Sequence, residues 1–196
     1  MLITLCRHLV LIRVRLLSND ELDQNALRRL KDGLAEAFPK SQIAIDDQAT
    51  HPPSSCLNRS RGQYNSTLIL QFLRSIVKKG NDERILAVES AVLYAGNLNF
   101  VFGEADPGTG IAVVSTHRLR PEFYGKAPNP ALFLNRLVKE AIHELGHTLG
   151  LGHSPDPTCV MHFSNSIFDT DLKGPDLCPR CKFKLNSTIV SGHFLF

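Results

Sequence analysis

The chain reads as an α/β protein, and three patterns carry that reading. Val10, Ile12, Val14 and Leu16 alternate with Leu11, Arg13, Arg15 and Leu17, the period-two mark of a strand. Leu22, Ala26, Leu30, Leu34 and Phe38 then recur along one helical face. Short strand-like runs from Ile85 to Ser115 give way to a long apolar-faced helix starting near Pro130, so strands and helices interleave along the chain.

Each element has a local cause. Ser18 to Glu21 has the form of a capping box and predicts the first helix, which Pro39 stops. Ile43 to Ile45 is a short second strand. Asp46 to Gly62 is polar and turn-rich, with His51-Pro52-Pro53-Ser54-Ser55 at its centre, and predicts a loop. Ile69, Phe72, Leu73 and Ile76 form the next helical stripe, closed by Lys78, Lys79 and Gly80. Strands are expected at Ile85 to Val88, Val92 to Tyr94, Leu98 to Phe102 and Ile111 to Ser115. Asp106-Pro107-Gly108-Thr109-Gly110 makes a hairpin-like turn between the last two. The long helix is predicted over Pro130 to Leu149, with the proline in its first turn. Leu134, Leu137, Val138, Ala141, Ile142 and Leu145 give it the broad apolar face of a helix buried under a sheet.

That helix ends in His143-Glu144-Leu145-Gly146-His147-Thr148-Leu149-Gly150-Leu151-Gly152-His153, an H-E-x-x-H-x-x-G-x-x-H run. This is the zinc-binding signature of metzincin-type metallopeptidases. His143 and His147 are four apart and project from one helical face, while Glu144 sits beside them without binding. Gly150 can take the left-handed conformation that ends a helix, and the reversed chain brings His153 to the same ion. Three imidazoles leave a coordination position for water. The competing reading, two surface histidines followed by a stray third, leaves the fixed Gly and third His unexplained. Met161, the only methionine besides Met1, lies eight residues after His153; metzincins carry a methionine turn beneath the three-histidine site, and the alternative is a methionine that simply fills a core gap.

The cysteines are Cys6, Cys56, Cys159, Cys178 and Cys181. Cys178-Pro179-Arg180-Cys181 is a C-x-x-C knuckle, and with Cys159 it has metal-ligand spacing, which predicts a second, structural zinc. From His143 to Cys181 the sequence resembles the archaemetzincins, whose pattern adds a C-x4-C, a Met and a C-x-x-C to the zinc helix. Leu98-Asn99-Phe100-Val101-Phe102-Gly103-Glu104-Ala105 is also similar to that family. One position departs: the family has a cysteine straight after the third histidine, and here it is Ser154. A neutral serine hydroxyl is a poor zinc ligand, so a fourth ligand for Cys159, Cys178 and Cys181 could come from His162, Cys56 or water; the alternative is an empty site whose three reduced thiols pack as small hydrophobes.

The resemblance implies a metzincin-like mixed twisted sheet, with an antiparallel edge strand over the long zinc-binding helix and a cysteine-rich C-terminal subdomain. Leu98 to Glu104 is the candidate edge; the alternative for it is a plain core strand. One domain is expected over 1–196, with an N-terminal subdomain 1–150 ending in the zinc helix and a C-terminal subdomain 151–196. The resemblance also implies a zinc-dependent peptidase, with His143, His147 and His153 on the metal and Glu144 as general base. Some metzincins carry a tyrosine two residues after the turn methionine; here that position is Phe163.

Composition excludes other classes. A net charge of +3 is too small to point to nucleic acid, and no apolar run is long enough to span a membrane. Arg7, His8, Arg13 and Arg15 interrupt the N-terminal stretch, so no signal peptide is expected. The odd cysteine count then predicts reduced thiols and metal ligands in a cytoplasmic protein. The resemblance implies a peptide or protein substrate, and a monomer is expected. Two rivals remain. One is a non-catalytic zinc-binding module for metal handling or interaction, to which Glu144 would contribute nothing. The other is a nucleic-acid-binding ribbon around Cys178 and Cys181 with Arg180, Lys182 and Lys184, which lacks a second C-x-x-C.

Overall fold

The computed structural model of the chain describes residues 12–19, 22–46 and 50–191, with side chains to residue 188. Cys6, Val10, Leu11 and Glu21 lie outside the described residues.

Strand β1 (Ile12–Ser18) sends Ile12, Val14 and Leu16 to one side of the sheet and Leu17 to the other, as strand alternation requires. Helix α1 (Gln24–Ala37) follows, but its cap is not Ser18. That serine ends β1, in register with Val88, and Asp23 caps the helix instead, its carboxylate accepting from the Asn25 and Ala26 N–H groups at 2.8 and 2.9 Å. Leu27, Leu30 and Leu34 are its buried face.

Strand β2 (Ser41–Ile45) runs parallel to β1. The expected loop holds a short strand, β3 (Leu57–Asn58), and β4 (Gln63–Asn65) follows directly after that loop; the two join β6 (Leu93–Tyr94) in a small second sheet. Helix α2 (Ser66–Ile76) is capped by Asn65. Strands β5 (Glu83–Glu89), β7 (Gly103–Asp106) and β8 (Ile111–Ser115) complete the main sheet, ordered β2-β1-β5-β8-β7. Only β7 is antiparallel to its neighbour, and it forms the edge.

Two cores follow from this alternation. Ile12, Val14, Leu16, Leu86, Val88, Ala112 and Val114 face α1 and the long helix α3 (Pro130–Thr148). Leu17, Ile85, Ala87, Ile111 and Val113 face Ile69, Leu70 and Leu73 of α2. Helices α4 (Ile167–Leu172) and α5 (Pro179–Ser191) close the C-terminal part, and Ile167, Leu177 and Leu185 join the first core. Among the described residues no helix is long and apolar enough to cross a membrane.

The edge strand differs from expectation. Leu98 to Phe102 is not part of the main sheet; only Val101 makes an isolated bridge, to Leu93. The apolar alternation of Leu98, Phe100 and Phe102 imitates a strand, but side chains take the carbonyls of Leu98 and Asn99, and only Phe102 O, accepting from the Ser115 N–H at 2.7 Å, reaches the main sheet. Arg61 donates to Leu98 O and Asn99 O, each at 3.0 Å, and Gln63 donates to Asn99 O at 3.0 Å. The sheet edge begins only at Gly103.

Candidate metal centre and cleft

Asn129 caps α3 by accepting from the Leu132 N–H, and Pro130 takes the first helical position. The helix ends in a Schellman turn at Gly150, where φ is +83°. Gly150 N–H donates to His147 O and Leu151 N–H to Gly146 O, both at 3.0 Å. The reversal does two things: it carries His153 back to the helix, and it brings Leu151 O within 2.8 Å of His147 Nδ1.

His143 is anchored in the same way from another segment. Its Nδ1 lies 2.8 Å from Val160 O, in the turn that also holds Met161. Carbonyls only accept, so each Nδ1 carries a proton, and each neutral imidazole keeps a bare Nε2. Burial pushes the pKa of His143 well below its ordinary value and lowers that of His147, so both stay neutral, the form that ligates. The two Nε2 atoms stand 3.0 Å apart. Neither can donate to the other, so two lone pairs face each other, an arrangement a cation between them relieves. His153 completes the group, with one nitrogen of each ring within 4.8 Å of the others. The donor set fits zinc: three imidazoles, two of them oriented by backbone carbonyls.

Glu144 is buried beside the histidines. Burial, then the charge of Glu140, raises its pKa well above the usual carboxylate range, while Lys173 opposes the shift. Its carboxylate packs directly on the edge strand. A Cβ added to Gly103 would fall 2.6 Å from Glu144 Cγ and 2.6 Å from Val113 O. A cleft of about 340 Å³ opens here, lined by His143, Glu144, His147 and His153 on one side and by Phe100 to Ala105 on the other. Phe163 stands at its rim, with its ring centroid 5.1 Å from that of His153.

Glu140 and Lys173 escaped sequence reasoning. Glu140 also lines the cleft, one turn before Glu144. Lys173 is fully buried and pairs with it at 3.0 Å, while Thr170 donates to the same carboxylate at 2.8 Å. Helical spacing from His143 could have flagged Glu140; nothing local could have flagged a lysine 33 residues later.

The cysteines form a second group. Cys159, Cys178 and Cys181 bring their sulfurs within 4.8 Å of one another. Cys178 N–H donates to Cys159 Sγ at 3.2 Å. Burial resists ionisation of Cys178, yet the Cys181 N–H and the hydrogen bond it shares with the Ser154 hydroxyl bring its pKa down to about 7. Burial and its neighbours push Cys181 up to about 12. Three thiols drawn together at the mouth of a helix, one of them readily ionised, suit a thiophilic cation. Cys56 is not with them: it packs in the second core with Ile69 and Leu73.

The profile of Peptidase family M54 matches residues 27–187. An archaemetzincin of Pyrococcus furiosus is 40% identical over 176 residues, covering 88% of this chain and 92% of that protein. The crystal structure of archaemetzincin from Methanopyrus kandleri superposes with a TM-score of 0.79 at 35% identity, covering 92% of this chain and 97% of that one. A zinc-dependent peptidase from Methanocorpusculum labreanum gives a TM-score of 0.80 at 29% identity, covering 88% and 100%.

Proposed function

We propose, for a chain that belongs to peptidase family M54, the archaemetzincins, that its zinc-dependent peptidase chemistry runs on Glu144 as general base. The observation that carries this is the pairing of three converging imidazoles with a buried carboxylate under the edge strand. His143, His147 and His153 would hold the catalytic zinc. Bound there, zinc supplies Lewis acidity to the scissile carbonyl and to an attacking water.

The rest is the work of this chain's own groups. The open edge of β7 offers main-chain N–H and C=O groups to an extended peptide, which positions a peptide bond over the histidines. Glu144 takes the proton of the attacking water and passes it to the leaving amine. Its carboxylate lies against the Gly103 backbone, which fixes where that proton is received. The apolar walls of the cleft, Leu98, Phe100 and Phe102, exclude bulk water from the reacting centre. Cys159, Cys178 and Cys181 would hold a second, structural zinc. Residues 1–150 and 151–196 work as one domain, because the first supplies His143 and His147 and the second supplies His153.

Glu144→Gln tests the assignment. The variant keeps its histidine-bound zinc and loses peptide hydrolysis by about 10²- to 10⁴-fold, the range expected for a general base. Unchanged hydrolysis with zinc retained would refute it, and would favour an enzyme whose base lies elsewhere.

A further inference from the structure

Three thiols alone do not account for the second cluster. Ser154 is buried, and its Oγ lies 3.6 Å from Cys178 Sγ. Cys159 Sγ and Cys181 Sγ are 3.9 Å apart. In a tetrahedron with zinc–sulfur bonds near 2.3 Å and a zinc–oxygen bond near 2.0 Å, the sulfur–sulfur edge is about 3.8 Å and the sulfur–oxygen edge about 3.5 Å. Both observed separations have the length of such an edge.

The backbone places that hydroxyl. Ser154 N–H donates to Met161 O at 2.9 Å, and Ser154 O is 3.0 Å from His162 Nδ1. Asp156 N–H donates to Ser154 Oγ at 3.2 Å, which takes one lone pair and leaves the other. The two protein alternatives are committed elsewhere. His162 is tied through Nδ1 to the Ser154 carbonyl and does not group with the sulfurs, and Cys56 sits in the other core.

We propose that Ser154 Oγ is the fourth donor of the cysteine cluster, giving a centre of three thiolates and one hydroxyl oxygen for a zinc-class divalent ion. This rests on the reading that the cysteines hold a metal, and it adds the donor that closes the site. A neutral hydroxyl leaves the occupied centre at net charge −1, where four thiolates would give −2. Oxygen is also a harder and weaker donor to such an ion than sulfur, so the Ser154 bond is the weakest of the four.

Cobalt(II) titration of the full chain tests this, comparing wild type with Ser154→Ala and Ser154→Cys. Thiolate-to-cobalt charge transfer in the near ultraviolet reports sulfur donors only, so the histidine centre does not contribute. At saturation the wild-type amplitude is expected to be about three-quarters that of Ser154→Cys, the ratio of three sulfurs to four. Ser154→Ala keeps the three-sulfur amplitude, with shifted visible ligand-field bands and binding weakened at least about tenfold, the lower end of what even an outer-shell change costs. Wild-type affinity and ligand-field bands in Ser154→Ala would overturn the proposal, as would equal amplitudes in wild type and Ser154→Cys. Absence of any charge-transfer band from the wild type would instead sink the underlying reading of a metal on the cysteines.

Discussion

Gly103 and Gly146 each hold open a space that a single methyl group would close. At Gly103 the added carbon would meet both a side chain and a fixed carbonyl, at 2.6 Å each, so only Glu144 can give way. Gly103→Ala is expected to displace the Glu144 carboxylate and lower kcat by about 10²-fold, the cost of a displacement near 1 Å at a reacting group. Zinc content should stay at the wild-type value. Loss of zinc together with activity would show that the substitution acts on the fold rather than on the base. At Gly146 the methyl would lie 2.6 Å from Met161 Sδ. Its neighbour Val160 O orients His143, so Gly146→Ala is expected to weaken zinc binding by about 10- to 100-fold, as outer-shell changes do. Alanine gains roughly 1 kcal/mol of helix propensity over glycine, which favours the helix while harming the site. A chelator competition reads the affinity, and wild-type affinity would remove Met161 from the support of the site.

The polar grip of α3 on α4 operates between elements. Arg136 binds both oxygens of Asp171 at 2.7 Å, Lys139 donates to Thr170 O at 3.1 Å, and Glu140 pairs with Lys173. These three residues lie on one side of the zinc helix, so α4 is fastened beside the cleft. Lys173→Met leaves the Glu140 carboxylate buried without its ammonium partner, and is expected to cost about 3–5 kcal/mol. The double variant Glu140→Gln/Lys173→Met should recover most of that loss, because it buries no lone charge. Urea unfolding of the three proteins measures this, and a double variant no more stable than the single would show that packing, not charge, is at stake. The same contacts explain what the sequence hid. The zinc signature, the alternation of β1 and the short apolar runs of β5 and β8 are written in neighbouring residues and are legible there. Lys173 finds Glu140 across 33 residues, and Arg61 captures the Leu98 carbonyl across 37, which turned an apparent strand into a loop. Ser18 looked like a cap because its local pattern was right, but the ladder with β5 claimed it first.

In the whole molecule, both ligand clusters hang on one short stretch. His153 and Ser154 are adjacent, and Ser154 N–H is bonded to Met161 O, whose neighbours Val160 and Cys159 serve the histidine and cysteine clusters respectively. The family pattern made both clusters visible in the sequence, whereas their closeness appears only once the chain has turned at Gly150. Zinc per chain, measured on wild type, His147→Ala and Cys178→Ala/Cys181→Ala, tests the assignment of both centres at once. Two zinc ions are expected in the wild type, with one lost in each variant. Retention of the full zinc content by His147→Ala would contradict the placement of the catalytic ion on His143, His147 and His153.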